Sequence, residues 1–168
     1  DYTMDTRLQY TGEIVNDTLK GNLYLIGGFD PELMDEDLDS LVEAVAKSGI
    51  RHLTDSLIAD VSMTDSVFWG PGWSWDDVPH SFQPYLSPLM LNRGCVDITV
   101  MPTTKDSIPD VICVPASDFY QVNNNAISHQ PQAGKLKITR NWLYNGNQIS
   151  ISGNVTKKTS KSLSIYTS

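Results

Sequence analysis

One short segment restricts the fold of this chain more than any other: residues 70–77, which read Gly-Pro-Gly-Trp-Ser-Trp-Asp-Asp. Proline lacks a backbone N–H and glycine weakens regular structure, so neither a helix nor a central strand can run through the turn. If the following residues are extended, alternation directs the indoles of Trp73 and Trp75 to one face. Carboxylates beside large aromatic rings can bind a cationic group. Such a loop can equally be fixed onto a hydrophobic core, and residue types alone favour that structural interpretation.

The composition indicates an acidic globular protein. The 168 residues are 40% hydrophobic and 19% charged, which leaves room for one domain or two small ones. The net charge of −8 argues against nucleic-acid binding, which needs clustered Lys and Arg. The lysines at 157, 158 and 161 are interpreted as a solvated edge. No apolar run has membrane-spanning length, and the start at Asp1 without Met suggests a processed protein or an excised piece.

The first part of the chain predicts a strand–helix–strand unit. Residues 19–26 are expected to be a strand, residues 35–48 a helix capped by Asp35, and residues 49–60 a second strand. The apolar positions of the helix, which are expected to form one buried face, are Leu38, Leu41, Val42 and Val45. This order is typical of a parallel α/β unit.

From Val96 onward the pattern predicts strands. Residues 96–100, 111–114 and 162–166 are apolar or alternate, and Asn145-Gly146 is a hairpin turn signal between residues 135–143 and 148–152. The expected fold class is therefore α/β plus β, with an α/β domain over residues 1–105 and a β-rich antiparallel subdomain over 106–168. The last strand could return to the first sheet.

The two cysteines leave the redox state open. Cys95 and Cys113 both fall in predicted strands, so a disulfide and two buried thiols are equally compatible with the sequence.

Motifs for metals and cofactors are not complete. Asp35, Asp37 and Asp39 imitate the start of a calcium loop, but Ser40 and Ala46 occupy the positions that need Gly and Glu. The three histidines lack ligand partners at metal-binding spacing. We therefore expect no metal and no cofactor.

Penicillin-recognising enzymes use a Ser-x-x-Lys nucleophile motif, and no lysine of this chain has a serine three residues before it. Residues 152–154 match the S-x-N element and residues 158–160 nearly match K-T-G, but they lie too close together to be the two catalytic elements. We therefore predict no catalytic residue in this chain.

Seven features in register nevertheless resemble one family. They are residues 19–25 (LKGNLYL), 27–31 (GGFDP), 48–50 (SGI), Asp60, 71–77 (PGWSWDD), 92–95 (NRGC) and 148–154 (QISISGN). Together they make the whole chain similar to the non-catalytic insertion of the D-alanyl-D-alanine carboxypeptidase/endopeptidase family, the low-molecular-mass class C penicillin-binding proteins.

The resemblance implies a function for the chain. In this family the nucleophile lies before the insertion and the other catalytic elements lie after it. The chain would then be an accessory domain that borders the substrate cleft of a periplasmic or extracytoplasmic carboxypeptidase acting on peptidoglycan stem peptides. Its partners would be the catalytic penicillin-binding domain of the same parent chain and the stem peptide itself. Alone it should be inactive.

The resemblance also implies substrate-binding residues. The family's loop at this position provides an Asp, and an aromatic residue five positions later, to the pocket for the side chain of the stem peptide's diamino acid. These correspond to Asp77 and Phe82, with Trp73 and Trp75 in the same loop. A carboxylate can pair with the terminal ammonium, and an aromatic ring can cover the methylenes.

Two other functions remain open. The aromatic residues of this segment (Trp69, Trp73, Trp75, Phe82 and Tyr85) could form a stacking platform of an independent cell-wall sugar or peptide binding module. Alternatively, the aromatic residues are buried and the region is purely structural. Exposure of the indoles and of Asp77 distinguishes these possibilities.

Overall fold

The computed structural model describes residues 3–65 and 67–166. The regular secondary structure of these residues is mostly β-strand, with a single α-helix and four three-stranded sheets. They form two compact units. The first contains the described residues up to Phe68 together with Leu86–Arg93, and the second contains Trp69–Tyr85 and the described residues from Gly94 onward. The domain boundary after residue 105 stays a prediction.

The first unit contains six strands and the helix. In chain order they are β1 (Arg7–Tyr10), β2 (Glu13–Val15), β3 (Thr18–Lys20), β4 (Leu23–Ile26), α1 (Asp35–Lys47), β5 (His52–Leu53) and β6 (Leu57–Asp60). One sheet has the order β1-β4-β6 and the other β2-β3-β5.

The strands before the helix pair with the strands after it in parallel, as expected of a strand–helix–strand unit. β3 is parallel to β5, and β4 is parallel to β6. Each of the two long strands that the sequence predicts, residues 19–26 and 49–60, is divided into two short strands. The first break lies at Gly21, where an added Cβ would stand 1.9 Å from the carbonyl oxygen of Thr11. The backbone itself approaches the neighbouring strand there, so the strand bends instead of continuing.

Two details of the helix prediction are wrong. The N-cap is Met34, not Asp35, and its N–H donates to Oδ2 of Asp37 at 2.9 Å. The aspartate at the third helical position thus supplies the capping acceptor. Val42 is 67% exposed, whereas Leu38, Leu41 and Val45 are half-buried. The contact stripe is narrow because Val42 is rotated by about 100° from Leu41 around the helix axis.

The second unit contains the remaining six strands. They are β7 (Cys95–Met101), β8 (Asp110–Val114), β9 (Gln121–Ser128), β10 (Lys137–Asn141), β11 (Gln148–Val155) and β12 (Thr159–Ser164). One sheet has the order β12-β7-β8 and the other β10-β11-β9.

The β-rich character of this part is confirmed, but the expectation of a purely antiparallel sheet is wrong. β10 and β11 form the predicted antiparallel hairpin around Asn145 and Gly146. β11 then pairs with β9 in parallel over eight residues, from Gln148 opposite Gln121 to Val155 opposite Ser128. The parallel pairing arises because β10 takes the edge position and leaves β11 in the centre of the sheet.

Both sheets of the second unit share one hydrophobic core. Alternate residues of β7 and β11 point inward, and β10 and β12 add further apolar side chains. The most deeply buried members are Val96, Ile98, Val100, Ile149, Ile151, Val155 and Leu163. This core is the rigid support on which the tryptophan-containing segment lies.

No disulfide joins Cys95 and Cys113. Ile98 is the cross-strand partner of Cys113, so both side chains stand on the core face of the β7–β8 pair. Cys95 has the opposite parity along β7 and stands on the other face. The backbone therefore separates the two thiols.

Within the described part of the chain, no helix is both long and apolar enough to cross a lipid bilayer.

Candidate functional site

The second unit presents the segment Trp69–Tyr85, which we term the tryptophan loop. It opens with a tight turn in which the N–H of Trp73 donates to the carbonyl of Gly70 at 3.3 Å. Gly72 has φ = +81°, a conformation that favours glycine. Pro at the second position and Gly with positive φ at the third are typical of a type II turn. The sequence-based prediction of a rigid bend is confirmed.

The chain after this bend is not extended, so the condition for alternation of the two indoles is not met. Trp75–Asp77 form a turn of 3₁₀ helix, in which the N–H of Asp77 donates to the carbonyl of Ser74 at 3.2 Å. His80 then donates to the carbonyl of Asp77 at 2.9 Å. Because these N–H groups are satisfied within the loop, the segment needs no strand partner and the two indoles do not alternate along an extended chain.

The indoles of the loop have different partners. Trp69 packs on Tyr85, with ring centroids 5.3 Å apart. Trp73 folds back over its own turn, because a Cβ on Gly70 would lie 2.9 Å from the indole Nε1. Trp75 packs on Trp142, which follows β10, at 5.6 Å. Trp75 is nevertheless 73% exposed, so it offers most of its surface to a ligand.

Buried residues fix the second half of the loop. Val78 and Gln83 are buried, and Nε2 of Gln83 donates to the carbonyl of Ser74 at 2.8 Å. The carbonyl of Pro79 accepts a hydrogen bond from the N–H of Ser164 at 3.0 Å, which joins the loop to β12. The loop is thus held at both the core and the sheet edge, which keeps its exposed side chains in a defined position.

A buried arginine supports the end of the loop. Arg140 points inward from β10 and its guanidinium lies over the ring of Tyr85. Its Nη1 donates to the carbonyl of Gly146 at 2.8 Å and to Oδ1 of Asn147 at 3.0 Å. Asn147 in turn accepts from the N–H of Tyr166 at 2.8 Å. This network joins the loop, the hairpin and the end of the chain that the structure describes.

The two residues expected in the diamino-acid pocket are both accessible. Asp77 is half-buried, and its carboxylate makes no hydrogen bond or ion pair with the described residues. Phe82 is 70% exposed and stacks on the ring of His80, with centroids 5.3 Å apart and nearly parallel planes. The turn that links Asp77 to His80 connects the two side chains through the backbone.

Groups with a shifted pKa lie outside the tryptophan loop. Burial raises the pKa of the Cys113 thiol, and a hydrogen bond with Tyr120 partly offsets this rise. Burial also raises the pKa of Tyr120, and the neighbouring Cys113 adds to the effect. At the end of β6, hydrogen bonds from Ser62 lower the pKa of the half-buried Asp60. We find no acid–base pair among these groups that faces the loop.

The residues that the structure describes contain no group of three or more His, Cys, Asp or Glu side chains suited to hold a metal ion. The tryptophan loop presents two carboxylates, Asp76 and Asp77, the imidazole of His80 and exposed aromatic rings.

Comparison with known proteins connects this arrangement to a family. The model of the D-Ala-D-Ala carboxypeptidase 3 (S13) family matches residues 1–167. The chain belongs to the S13 family. The resemblance that the sequence motifs indicated is thereby confirmed.

Two curated S13 relatives align with part of the chain. It is 30% identical over 113 residues to the D-alanyl-D-alanine carboxypeptidase of Actinomadura sp. (strain R39), an alignment that covers 64% of this chain and 21% of the relative. It is 31% identical over 94 residues to the D-alanyl-D-alanine carboxypeptidase DacB of Haemophilus influenzae, covering 56% and 20%. The chain thus spans about a fifth of the length of these relatives.

The fold is also similar to that of solved structures. Penicillin binding protein 4 (dacB) from Haemophilus influenzae superposes with a TM-score of 0.75 at 22% identity, over 95% of this chain and 36% of that one. The same protein in complex with a β-lactam gives a TM-score of 0.62 at 20% identity, over 95% and 33%. The S13 fold of this region is therefore shared even where the sequences differ.

Sequence reasoning missed the two side chains that most directly support the loop of this S13 chain. Trp142 and Arg140 lie far from the loop in sequence, and only the folded sheet brings them to Trp75 and Tyr85. The available signal was Arg140 itself, which falls at an inward-facing position of a strand with alternating apolar residues. A buried charge needs a partner, so this position predicts contacts with other residues.

Proposed function

We propose that this chain is a non-catalytic accessory region of an S13 D-Ala-D-Ala carboxypeptidase/endopeptidase, bordering the cleft that binds peptidoglycan stem peptides. The observation that carries the proposal is membership of the S13 family in a chain without a Ser-x-x-Lys motif. A serine nucleophile needs an adjacent base to act at neutral pH. In the intact enzyme a separate catalytic penicillin-binding domain supplies these groups, and the enzyme works in the periplasm or another extracytoplasmic space.

The proposed contribution of this chain to substrate binding is a carboxylate. Asp77 has no partner among the described residues and lies at the end of a fixed turn, so its carboxylate is available to an ammonium group. Phe82 offers an apolar face to the methylenes that precede such a group. Trp73 and Trp75 complete the aromatic surface of the loop. Together these residues suit the side chain of a stem-peptide diamino acid.

The test compares Asp77→Ala with Asp76→Ala in a full-length S13 enzyme that carries this chain. Asp76 is the exposed neighbour, so its substitution removes the same charge. We expect Asp77→Ala to raise KM for a diamino-acid stem peptide up to roughly fivefold, since an exposed ion pair contributes about 0–1 kcal/mol. KM for a peptide without the second amine should not change. Equal effects of both variants, or on both peptides, would exclude the contact.

One observation favours a second candidate, an independent cell-wall binding module. The exposed face of Trp75, backed by Trp142, is suited to stack on a sugar ring. Trp75→Ala in the isolated chain should then abolish binding of disaccharide wall fragments, whereas Phe119→Ala, at another exposed aromatic residue, should not. Retention of sugar binding by Trp75→Ala would eliminate this candidate.

A further inference from the structure

The charges of this chain are strongly segregated along the sequence. All 20 Asp and Glu residues occur at or before Asp118, and residues 119–168 contain none. The same 50-residue segment contains six of the 12 Lys and Arg residues. An asymmetry of this kind indicates that one part of an acidic protein meets an anionic partner.

The fold gathers four of these cations in one place. Between β10 and β12 lies an open groove of about 790 Å³, which we term the lysine groove, and it is lined by Lys135, Lys137, Lys157 and Lys161. Lys161 is anchored, since its Nζ donates to the carbonyl of Ile138 at 2.8 Å. The other three lysines are exposed. Neither ion pair found in the described part of the chain involves them, so their charges are available to a ligand.

The other residues that line the lysine groove indicate which chemical groups the ligand carries. The hydroxyl group of Thr156 and the amide of Asn154 can donate hydrogen bonds to anionic oxygens. Leu136 and Ile138 add an apolar floor. A ligand that carries both carboxylates and small methyl groups matches this surface better than a polyphosphate, which has no apolar part.

We propose that the lysine groove binds the carboxylate groups of peptidoglycan stem peptides along a strand, as a second contact separate from Asp77. This inference rests on the proposed function for its choice of ligand. The groove would hold the polymer by many weak charge contacts, whereas Asp77 would select one amine. Such binding weakens steeply with salt, because each ammonium that engages an anion releases counterions.

The test measures binding of the 168-residue chain to soluble, un-cross-linked peptidoglycan strands. The groove variant combines Lys135→Gln, Lys137→Gln and Lys157→Gln. The matched control combines Lys20→Gln, Lys47→Gln and Lys105→Gln, which removes the same charge at exposed positions elsewhere. We expect the groove variant to bind roughly tenfold more weakly or worse, with a shallower salt dependence, and the control to bind almost as well as the parent chain.

Two further ligands and one further variant complete the experiment. Strands stripped of their stem peptides should not bind, and inorganic polyphosphate should bind more weakly than intact strands. Equal binding by the groove and control variants overturns the site, and preference for polyphosphate or for stripped strands overturns the choice of ligand. Asp77→Ala removes a carboxylate and no ammonium, so the salt dependence that the lysines produce should stay as steep as in the parent chain. Failure of the proposed cleft contact and failure of the groove therefore give different results.

Discussion

The guanidinium carbon of Arg140 lies 5.3 Å from the ring centroid of Tyr85, and the two residues are only 2% and 1% exposed. Nη2 of Arg140 also contacts the Tyr85 hydroxyl at 3.5 Å. No carboxylate forms an ion pair with Arg140 in the part of the chain that the structure describes. One carbonyl oxygen, one amide oxygen and the hydroxyl and ring of Tyr85 therefore stabilise the buried charge at the end of the tryptophan loop.

Replacing Arg140 by Met should lower the free energy of unfolding by about 2–4 kcal/mol. The side chain keeps much of its volume, but in a partly buried site the carbonyl of Gly146 loses this donor and Oδ1 of Asn147 keeps only the N–H of Tyr166. Tyr85→Phe removes the hydroxyl that contacts Nη2 of Arg140 but keeps the ring beneath the guanidinium, so it should lower the free energy of unfolding by about 1 kcal/mol. Urea denaturation checks both values.

Lys137→Met, at an exposed position of the same strand, is the control and should change stability by less than about 0.5 kcal/mol. A similar effect of Arg140→Met and Lys137→Met would contradict this role.

Two glycines with the same backbone conformation should respond differently to substitution. Gly12 and Gly49 have φ = +92° and +91°, but a Cβ on Gly12 would lie 1.9 Å from the carbonyl oxygen of Lys20, whereas Gly49 has no neighbour within 4 Å. Gly49→Ala should lower the free energy of unfolding only by the backbone strain, about 1–2 kcal/mol. Gly12→Ala should lower the free energy of unfolding by at least about 2 kcal/mol more, or prevent folding, because the backbone at Lys20 must move. Thermal unfolding of both variants provides the comparison, and equal costs would argue against the close approach.

Sequence reasoning succeeded where the signal is local. The helix was found because its apolar spacing and first-turn acids lie within thirteen residues, and the β10–β11 hairpin because Asn145-Gly146 marks its turn. The bend at residues 70–73 follows from Pro71 and Gly72 in the same way. In each case the physical cause is contained in neighbouring residues.

Sequence reasoning failed where contacts between distant segments determine the structure. The parallel pairing of β9 with β11 and the antiparallel pairing of β7 with β12 depend on which strand takes the centre of a sheet. Trp75 departs from the expected alternation because the loop satisfies its own N–H groups and Trp142 approaches from the hairpin. The predicted roles of Asp77 and Phe82 came from family resemblance and stay predictions, because they concern a substrate rather than the fold.

The two cysteines should remain thiols in air-oxidised protein. Cys95 and Cys113 stand on opposite faces of the β7–β8 pair, so a bridge would require a large movement of the backbone. Intact mass should therefore be the same before and after treatment with a reductant. Two thiols per chain should react with a disulfide reagent in urea. A mass lower by two hydrogens in the unreduced monomer would show that the bridge forms.

The isolated chain should not be acylated by penicillin. Acylation needs a serine activated by a nearby lysine, and the Ser-x-x-Lys spacing does not occur in the sequence. Incubation with a fluorescent penicillin should leave the 168-residue chain unlabelled, while a complete penicillin-binding protein in the same tube is labelled. A covalent adduct on any serine, located by mass spectrometry, would overturn the assignment of a non-catalytic role.

Alkylation of Cys113 should show the effect of burial on its thiol. Burial raises the pKa in the folded state, so the reactive thiolate forms at higher pH than in the unfolded chain. In a Cys95→Ser background, the rate of reaction with iodoacetamide should therefore reach half its maximum at higher pH in native protein than in urea. By linkage, the stability due to the neutral thiol is present below the unfolded pKa and is lost as pH rises through the folded pKa. A native midpoint at or below the value in urea would show that solvent, rather than the protein interior, surrounds this thiol.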